Sequence, residues 1–192
     1  MNFLAHAYLS FGNPEILIGN MIADQIKGKQ IEQYPETIQQ GIHIHRQIDS
    51  FTDKHPSTQD AVKLLQSTAG RYSGAFLDVA YDHFLAQDQE NEPVGGWEPF
   101  AQKSYKQISD YKDILPGQFC SMFMYMESEN WFYNYRYKWM IEKSFDRLKQ
   151  RANYLDNEAN IFGEFEKNYN ELRDYYQSFF PELKSFVQSL HS

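Results

Sequence analysis

Apolar residues recur along the chain at the three-to-four spacing of amphipathic helices, and no alternating run longer than about four residues reads as a strand. Residues 2–11 form a first apolar stretch that Gly12-Asn13-Pro14 interrupts. A second helix is expected over 14–27, with Pro14 in its first turn and Gly28 just past its end. A third runs over 35–54 and stops before Pro56, because proline keeps its predecessor out of helical geometry. Ser57-Thr58-Gln59-Asp60 resembles a capping box opening a helix to about residue 69. Gly70 and Gly74 flank the link to a helix holding Leu77 to Ala86. Residues 87–97 are polar with glycine and proline and form the one long loop. Helices at 98–110, 116–129, 129–152 and 158–189 complete the chain, with Pro181 expected to kink or break the last. The expectation is an all-α helical bundle, a single domain over residues 1–192.

Composition narrows the class. Hydrophobic residues make up 42%, charged residues 23% and aromatics 17%, which suits a well-packed globular core and not a disordered chain. The one cysteine, Cys120, excludes an internal disulfide framework and a multi-cysteine zinc site, and its apolar neighbours suggest an inert buried thiol. No apolar run reaches the roughly 18 residues of a membrane span, and Met1-Asn2-Phe3-Leu4-Ala5-His6 lacks a basic, then apolar, leader. A cytoplasmic, reducing location is expected.

The net charge of −8 argues against general nucleic-acid binding. It is unevenly spread. Residues 134–151 hold Arg136, Lys138, Lys143, Arg147, Lys149 and Arg151 against Glu142 and Asp146, a net +4 that leaves −12 elsewhere. Such a segment is either a solvated helix face or a dock for an acidic partner.

The candidate chemistry lies in two stretches, 41–55 and 77–85, which hold four of the six histidines, four aspartates and Arg46 among residues that otherwise read as buried helix. His45 and Asp49 are four apart and share a helix face, with Arg46 beside them and Asp53 one turn on. His43 lies about 200° around the helix from His45, so both cannot serve one site, and a core or supporting role is expected for it. Asp78 and Asp82 repeat the spacing, followed directly by His83. Buried like charges need a cation, an arginine or a shared proton, and a metal ion meets that need directly. Asp24 and His6 are ionisable residues on apolar helices of their own. Together these residues supply candidate ligands from four helices. A salt-bridge network tying helices together would explain any one of them but not the set.

Other chemistries fit less well. The chain has no Glu-x-x-His, no His-Glu-x-x-His, no P-loop, no Gly-x-Gly-x-x-Gly and no Gly-x-Ser-x-Gly. The aromatic run Trp131 to Trp139 supplies core or groove wall and carries no flavin or haem motif.

The spaced motifs resemble the acyl carrier protein phosphodiesterase family. The likeness takes in Met1-Asn2-Phe3-Leu4-Ala5-His6, Gly19-Asn20 with Asp24 and Lys27-Gly28, and Gly41-Ile42 with His45-Arg46, Ile48-Asp49, Thr52-Asp53 and His55-Pro56. It continues in Leu77-Asp78-Val79 and Asp82-His83-Phe84-Leu85-Ala86, then thins to Leu115-Pro116, Trp131 and Tyr135. The chain departs from the family in lacking a tryptophan soon after Ala86, where Gln87-Asp88-Gln89-Glu90 stands. The resemblance implies an all-helical fold related to the HD-domain phosphohydrolases. It also implies removal of 4′-phosphopantetheine from holo-acyl carrier protein, with dependence on a divalent metal, manganese first and magnesium or iron as alternatives.

Carried over by position, His6, Asp24, His45, Asp49, Asp78, Asp82 and His83 become the metal-site candidates, and Arg46, Asp82 and His83 the candidate catalytic residues. The basic segment 134–151 would then meet the acidic carrier protein. Two other readings stand beside this one: an HD-type phosphohydrolase acting on a nucleotide or other small phosphoester, and a non-catalytic helical module that binds carrier protein.

Overall fold

The structure, a computed structural model, describes residues 1–156 and 158–190. Among them no strand occurs, and the all-α expectation holds. In chain order the helices are α1 (Phe3–Tyr8), α2 (Pro14–Ile22), α3 (Glu36–Lys54), α4 (Pro56–Ala69), α5 (Ser73–Gln87), α6 (Trp97–Asp110), α7 (Gly117–Ser128), α8 (Trp131–Asn134), α9 (Lys138–Arg151), α10 (Ile161–Lys167) and α11 (Tyr169–Leu190). Short 3₁₀ turns at Ala23–Gln25 and Gly28–Gln33 link α2 to α3.

Helix α5 is the centre of the core. Phe76, Leu77 and every residue from Val79 to Ala86 are buried, so other helices cover it nearly all round. Helices α1, α4, α9 and α11 pack on it. Helix α11 contributes a stripe of Leu172, Tyr176, Phe179, Phe180, Leu183 and Val187, spaced for a single face.

Helices α2 and α3 meet along backbone. A Cβ on Gly41 would lie 2.5 Å from the Ile16 carbonyl oxygen and 2.9 Å from the Gly19 Cα, and one on Gly19 would lie 2.6 Å from the Gly41 Cα. Only glycine at both positions allows that approach. It brings the end of α2 against the middle of α3, where the site forms.

Four element boundaries differ from the periodicity, each for a visible reason. The first helix is short because Phe11 and Gly12 take positive φ, 47° and 78°. Helix α4 starts at Pro56 under a cap from His55, whose Nδ1 accepts from the Ser57 N–H at 3.2 Å, and not from a Ser57 capping box. The helix expected over 129–152 breaks at residues 135–137, because two of its carbonyls are taken by tertiary donors. The Tyr135 carbonyl faces His83 Nδ1 at 2.7 Å, and the Arg136 carbonyl accepts from Gln87 Nε2 at 2.9 Å. The last helix is divided at Asn168, whose amide donates to the Glu164 carbonyl at 2.9 Å and closes α10. Pro181, in contrast, leaves α11 continuous. It sits on the exposed side, and the carbonyl it deprives of a donor belongs to Gln177, itself exposed.

Candidate metal centre

His45 is set by the α2–α3 seam. Its Nδ1 donates to the Asn20 carbonyl oxygen on α2 at 2.8 Å, so Nδ1 keeps its hydrogen and Nε2 is the nitrogen turned toward the cluster. That Nε2 lies 3.1 Å from Asp49 Oδ2 and 3.2 Å from Asp24 Oδ1. Asp24 arrives on the 3₁₀ turn that follows α2, and its side chain is 80% exposed, at the rim of the cluster.

His6 comes from α1. Its Nε2 lies 3.2 Å from the other Asp49 oxygen, and its ring stacks on that of His45 with centroids 3.9 Å apart. Asp49 thus takes one imidazole on each carboxylate oxygen. One donor atom from each of His6, His45 and Asp49 falls within 4.8 Å of the others. A second network holds the far side of His6: the Asn20 amide donates to Ser10 Oγ at 2.9 Å, and that hydroxyl donates to the His6 carbonyl at 2.8 Å.

The electrostatics describe two imidazoles competing for one carboxylate. Burial would lower the His45 pKa, but the bonds to Asp24 and Asp49 outweigh it and raise the value to about 9. Burial, with charged His45 beside it, drops His6 to about 4. Burial would raise Asp49, yet both histidines hold it far below the usual carboxylate range. The hydrogen bond to His45 lowers Asp24 as well. A divalent cation fits this donor set: two imidazoles and a carboxylate are its usual ligands, and His6 Nδ1 has no hydrogen-bond partner among the described residues.

The remaining candidates lie around this cluster or turn away from it. Asp78, one-third exposed, sits 3.0 Å from the Met1 α-ammonium, which also lies 3.5 Å from Asp49. Asp82, fully buried, accepts the Leu4 and Ala5 N–H groups at 2.7 and 3.1 Å and so caps α1, the helix that carries His6. Burial pushes Asp82 up to about 7 despite those donors. His83 faces the other way, with Nδ1 on the Tyr135 carbonyl and Nε2 2.9 Å from the Tyr169 hydroxyl. Burial lowers it to about 4. Arg46 is exposed and donates to the Ile26 carbonyl at 3.0 Å.

Neither His43 nor Cys120 is buried as expected: His43 is exposed and Cys120 is half-buried. Asp53 is exposed and lines a separate groove of about 310 Å³ with Asp78. The basic segment is partly neutralised from within. Lys138 pairs with Glu166, and Lys143 and Arg147 both pair with Glu129. Sequence reasoning missed the Asn20 carbonyl, Ser10 and the glycine seam, since backbone acceptors and close approaches leave no periodic signal.

A cavity of about 1040 Å³ opens beside the cluster, with Asp24 on its wall. A groove of about 460 Å³ bounded by Phe51, His55, Glu182 and Phe186 shares no residue with the cluster.

Fold and site together define an all-helical protein with a buried histidine–aspartate cluster beside an open cavity. The chain belongs to the acyl carrier protein phosphodiesterase family, whose model matches residues 1–183. It is similar to the proteins named acyl carrier protein phosphodiesterase from Escherichia coli O9:H4 (strain HS) and Escherichia coli strains K12 / DH10B and SMS-3-5 / SECEC. Each is 29% identical over 184 residues, 95% of this chain and 95% of the relative. No solved structure matches the chain significantly. The family resemblance read from the motifs is therefore borne out. No helix among the described residues is long and apolar enough to cross a membrane.

Proposed function

We propose that this protein is a metal-dependent phosphodiesterase that removes 4′-phosphopantetheine from holo-acyl carrier protein and leaves the apo-protein. The observation that carries the metal centre is the convergence of His6 Nε2 and His45 Nε2 on the two oxygens of Asp49. In this reading His6, His45 and Asp49 hold a divalent ion, manganese first and magnesium or iron as alternatives, with Asp24 and Asp78 at its margin. Bound there, the ion supplies Lewis-acid polarisation of a phosphoryl oxygen.

The chain's own residues hold the geometry. The Asn20 carbonyl keeps the His45 proton on Nδ1 and its Nε2 lone pair turned toward the site. Arg46 is tied down by a single neutral bond to Ile26 and is free to swing its guanidinium onto the phosphate, where it offsets developing charge. Asp82 and His83 act as positioning residues in this account. Asp82 holds α1, and hence His6, while His83 holds the turn that separates α8 from α9.

The acidic carrier protein would approach the 134–151 segment. No carboxylate lies within ion-pair distance of Arg136 or Arg151 among the described residues, so these two are the cations left to receive it. A cytoplasmic location follows from that substrate and is consistent with the lone Cys120 thiol.

The test is mass spectrometry of holo-acyl carrier protein incubated with the protein and Mn²⁺. Loss of the arm is expected, and chelation, His45→Ala or Asp49→Ala should abolish it. Release that survives chelation or His45→Ala refutes the metal centre. No release from holo-carrier protein, with turnover of a nucleotide instead, favours a small-molecule phosphohydrolase, and no turnover of either favours a binding module.

A further inference from the structure

We infer that Lys184 on α11 is a positioning residue for the metal centre: through the Tyr8 hydroxyl it holds the far end of α1, and with it His6. The inference rests on the metal centre proposed above and concerns what keeps His6 in it. Asp82 secures only the start of α1, through the Leu4 and Ala5 N–H groups. His6 follows directly, and its ring has to stay stacked on His45 with Nε2 on Asp49. A six-residue helix fixed at one end frays from the other. The end that needs holding is Tyr8.

Tyr8 is held in two ways. Its ring lies among Trp97, Phe100 and Phe180, with centroids 5.7, 6.3 and 6.1 Å away. Its hydroxyl accepts from Lys184 Nζ at 2.9 Å and donates to Asn91 Oδ1 at 3.2 Å. Lys184 also donates to Asn91 Oδ1, at 2.7 Å. Side chains from α1, from the 3₁₀ turn Gln89–Asn91 and from α11 thus close one triangle.

Lys184 is half-buried, and no carboxylate lies within ion-pair distance of it among the described residues. An ammonium met only by neutral oxygens is costly to bury. Its countercharge reaches it through an amide. Asn91 Nδ2 donates to Asp88 Oδ2 at 2.8 Å, and the Tyr176 hydroxyl donates to the same oxygen at 2.9 Å. Ammonium and carboxylate together set which way the Asn91 amide faces: oxygen toward Lys184 and Tyr8, nitrogen toward Asp88. Residues 88–91 therefore act as a strap between α1 and α11, and Lys184 is the one charge in it that touches α1.

The test pairs Mn²⁺ affinity by calorimetry with hydrogen exchange of α1 in the metal-free protein. Lys184→Met removes the ammonium and keeps an apolar stem, and Tyr8→Phe removes only the hydroxyl. Each should weaken Mn²⁺ by about ten-fold, the low end of what a partner behind a ligand contributes. Each should also quicken exchange in α1 while α3 stays unchanged. Phe165→Leu, a core change on α10, which packs on α4, α9 and α11, is the stability control. It should lower the melting temperature and leave Mn²⁺ affinity within about two-fold of wild type. An equal Mn²⁺ loss in Phe165→Leu overturns the inference, because general softening would explain it. Unchanged affinity or unchanged α1 exchange in Lys184→Met overturns it too, as does a loss there that Tyr8→Phe does not share. Should Lys184→Met fail to fold, Tyr8→Phe decides alone. A wild-type protein that binds no Mn²⁺ sinks the metal centre and this inference with it, whereas wild-type binding with unaffected variants sinks the strap alone.

Discussion

The glycine contact between α2 and α3 makes Gly41→Ala the most informative single change. The new methyl would lie 2.5 Å from the Ile16 oxygen, where ordinary contact begins at 3.4 Å, so the helices must part by nearly an ångström. Overpacking of this kind costs about 1–3 kcal/mol. Weakening the His45–Asn20 bond adds about 1 kcal/mol, and alanine's better helix propensity returns about 1 kcal/mol. The net loss is near 2 kcal/mol, or roughly 4–8 °C in melting temperature for a chain of this size. The same movement carries Asp24 and the Asn20 carbonyl away from His45, so Mn²⁺ affinity measured by calorimetry should fall with stability. Gly19→Ala works on the same seam, and the double variant should cost less than the two singles added, because the second methyl enters space already opened. A Gly41→Ala protein that melts within about 1 °C of wild type and binds Mn²⁺ unchanged would refute the reasoning.

His83 supplies a pH prediction. Its pKa is lowered from 6.5 to about 4, so the folded protein resists protonation that the unfolded chain accepts. Its contribution to stability is whole above pH 6.5 and falls as the pH drops toward 4, by at most about 3 kcal/mol. Urea unfolding from pH 7 to 4 should therefore show a shallower decline for His83→Gln than for wild type, and parallel curves would contradict the burial argument. Asp82→Asn should lower the melting temperature and weaken activity at limiting Mn²⁺, because one of the two α1 donors loses its acceptor at a cost of about 1–3 kcal/mol. Saturating Mn²⁺ should restore turnover, whereas activity that stays lost would make Asp82 part of the chemistry itself.

The helical architecture was legible because most helices carry their own signals: Asn13-Pro14 opens α2, Pro35 and Pro56 bracket α3, and the apolar run around Leu77 marks a helix buried all round. The breaks at Tyr135–Tyr137 and Asn168 were not, since each depends on a side chain bonding to a carbonyl, in the first case from a residue distant in sequence. In the site, the i, i+4 spacing singled out His45 and Asp49, and their shared face is real. The pairing of Asp82 with its own spacing partner was less informative. Asp78 turns toward the Met1 ammonium while Asp82 turns to the start of α1, a division set by what packs against α5 and not by period. His83 looked equivalent to its neighbour in the chain, yet the next position on a helix points about 100° away, here toward Tyr135 and Tyr169.

Helix α1 is only six residues long, too short to persist by itself in water, and its order is borrowed from Asp82 and the wall of α5. Two of the three central donors ride on the long α3, while the third rides on this borrowed turn. Detaching it would remove His6 and barely alter the total helical signal, so circular dichroism can certify a sample as folded when its centre has come apart.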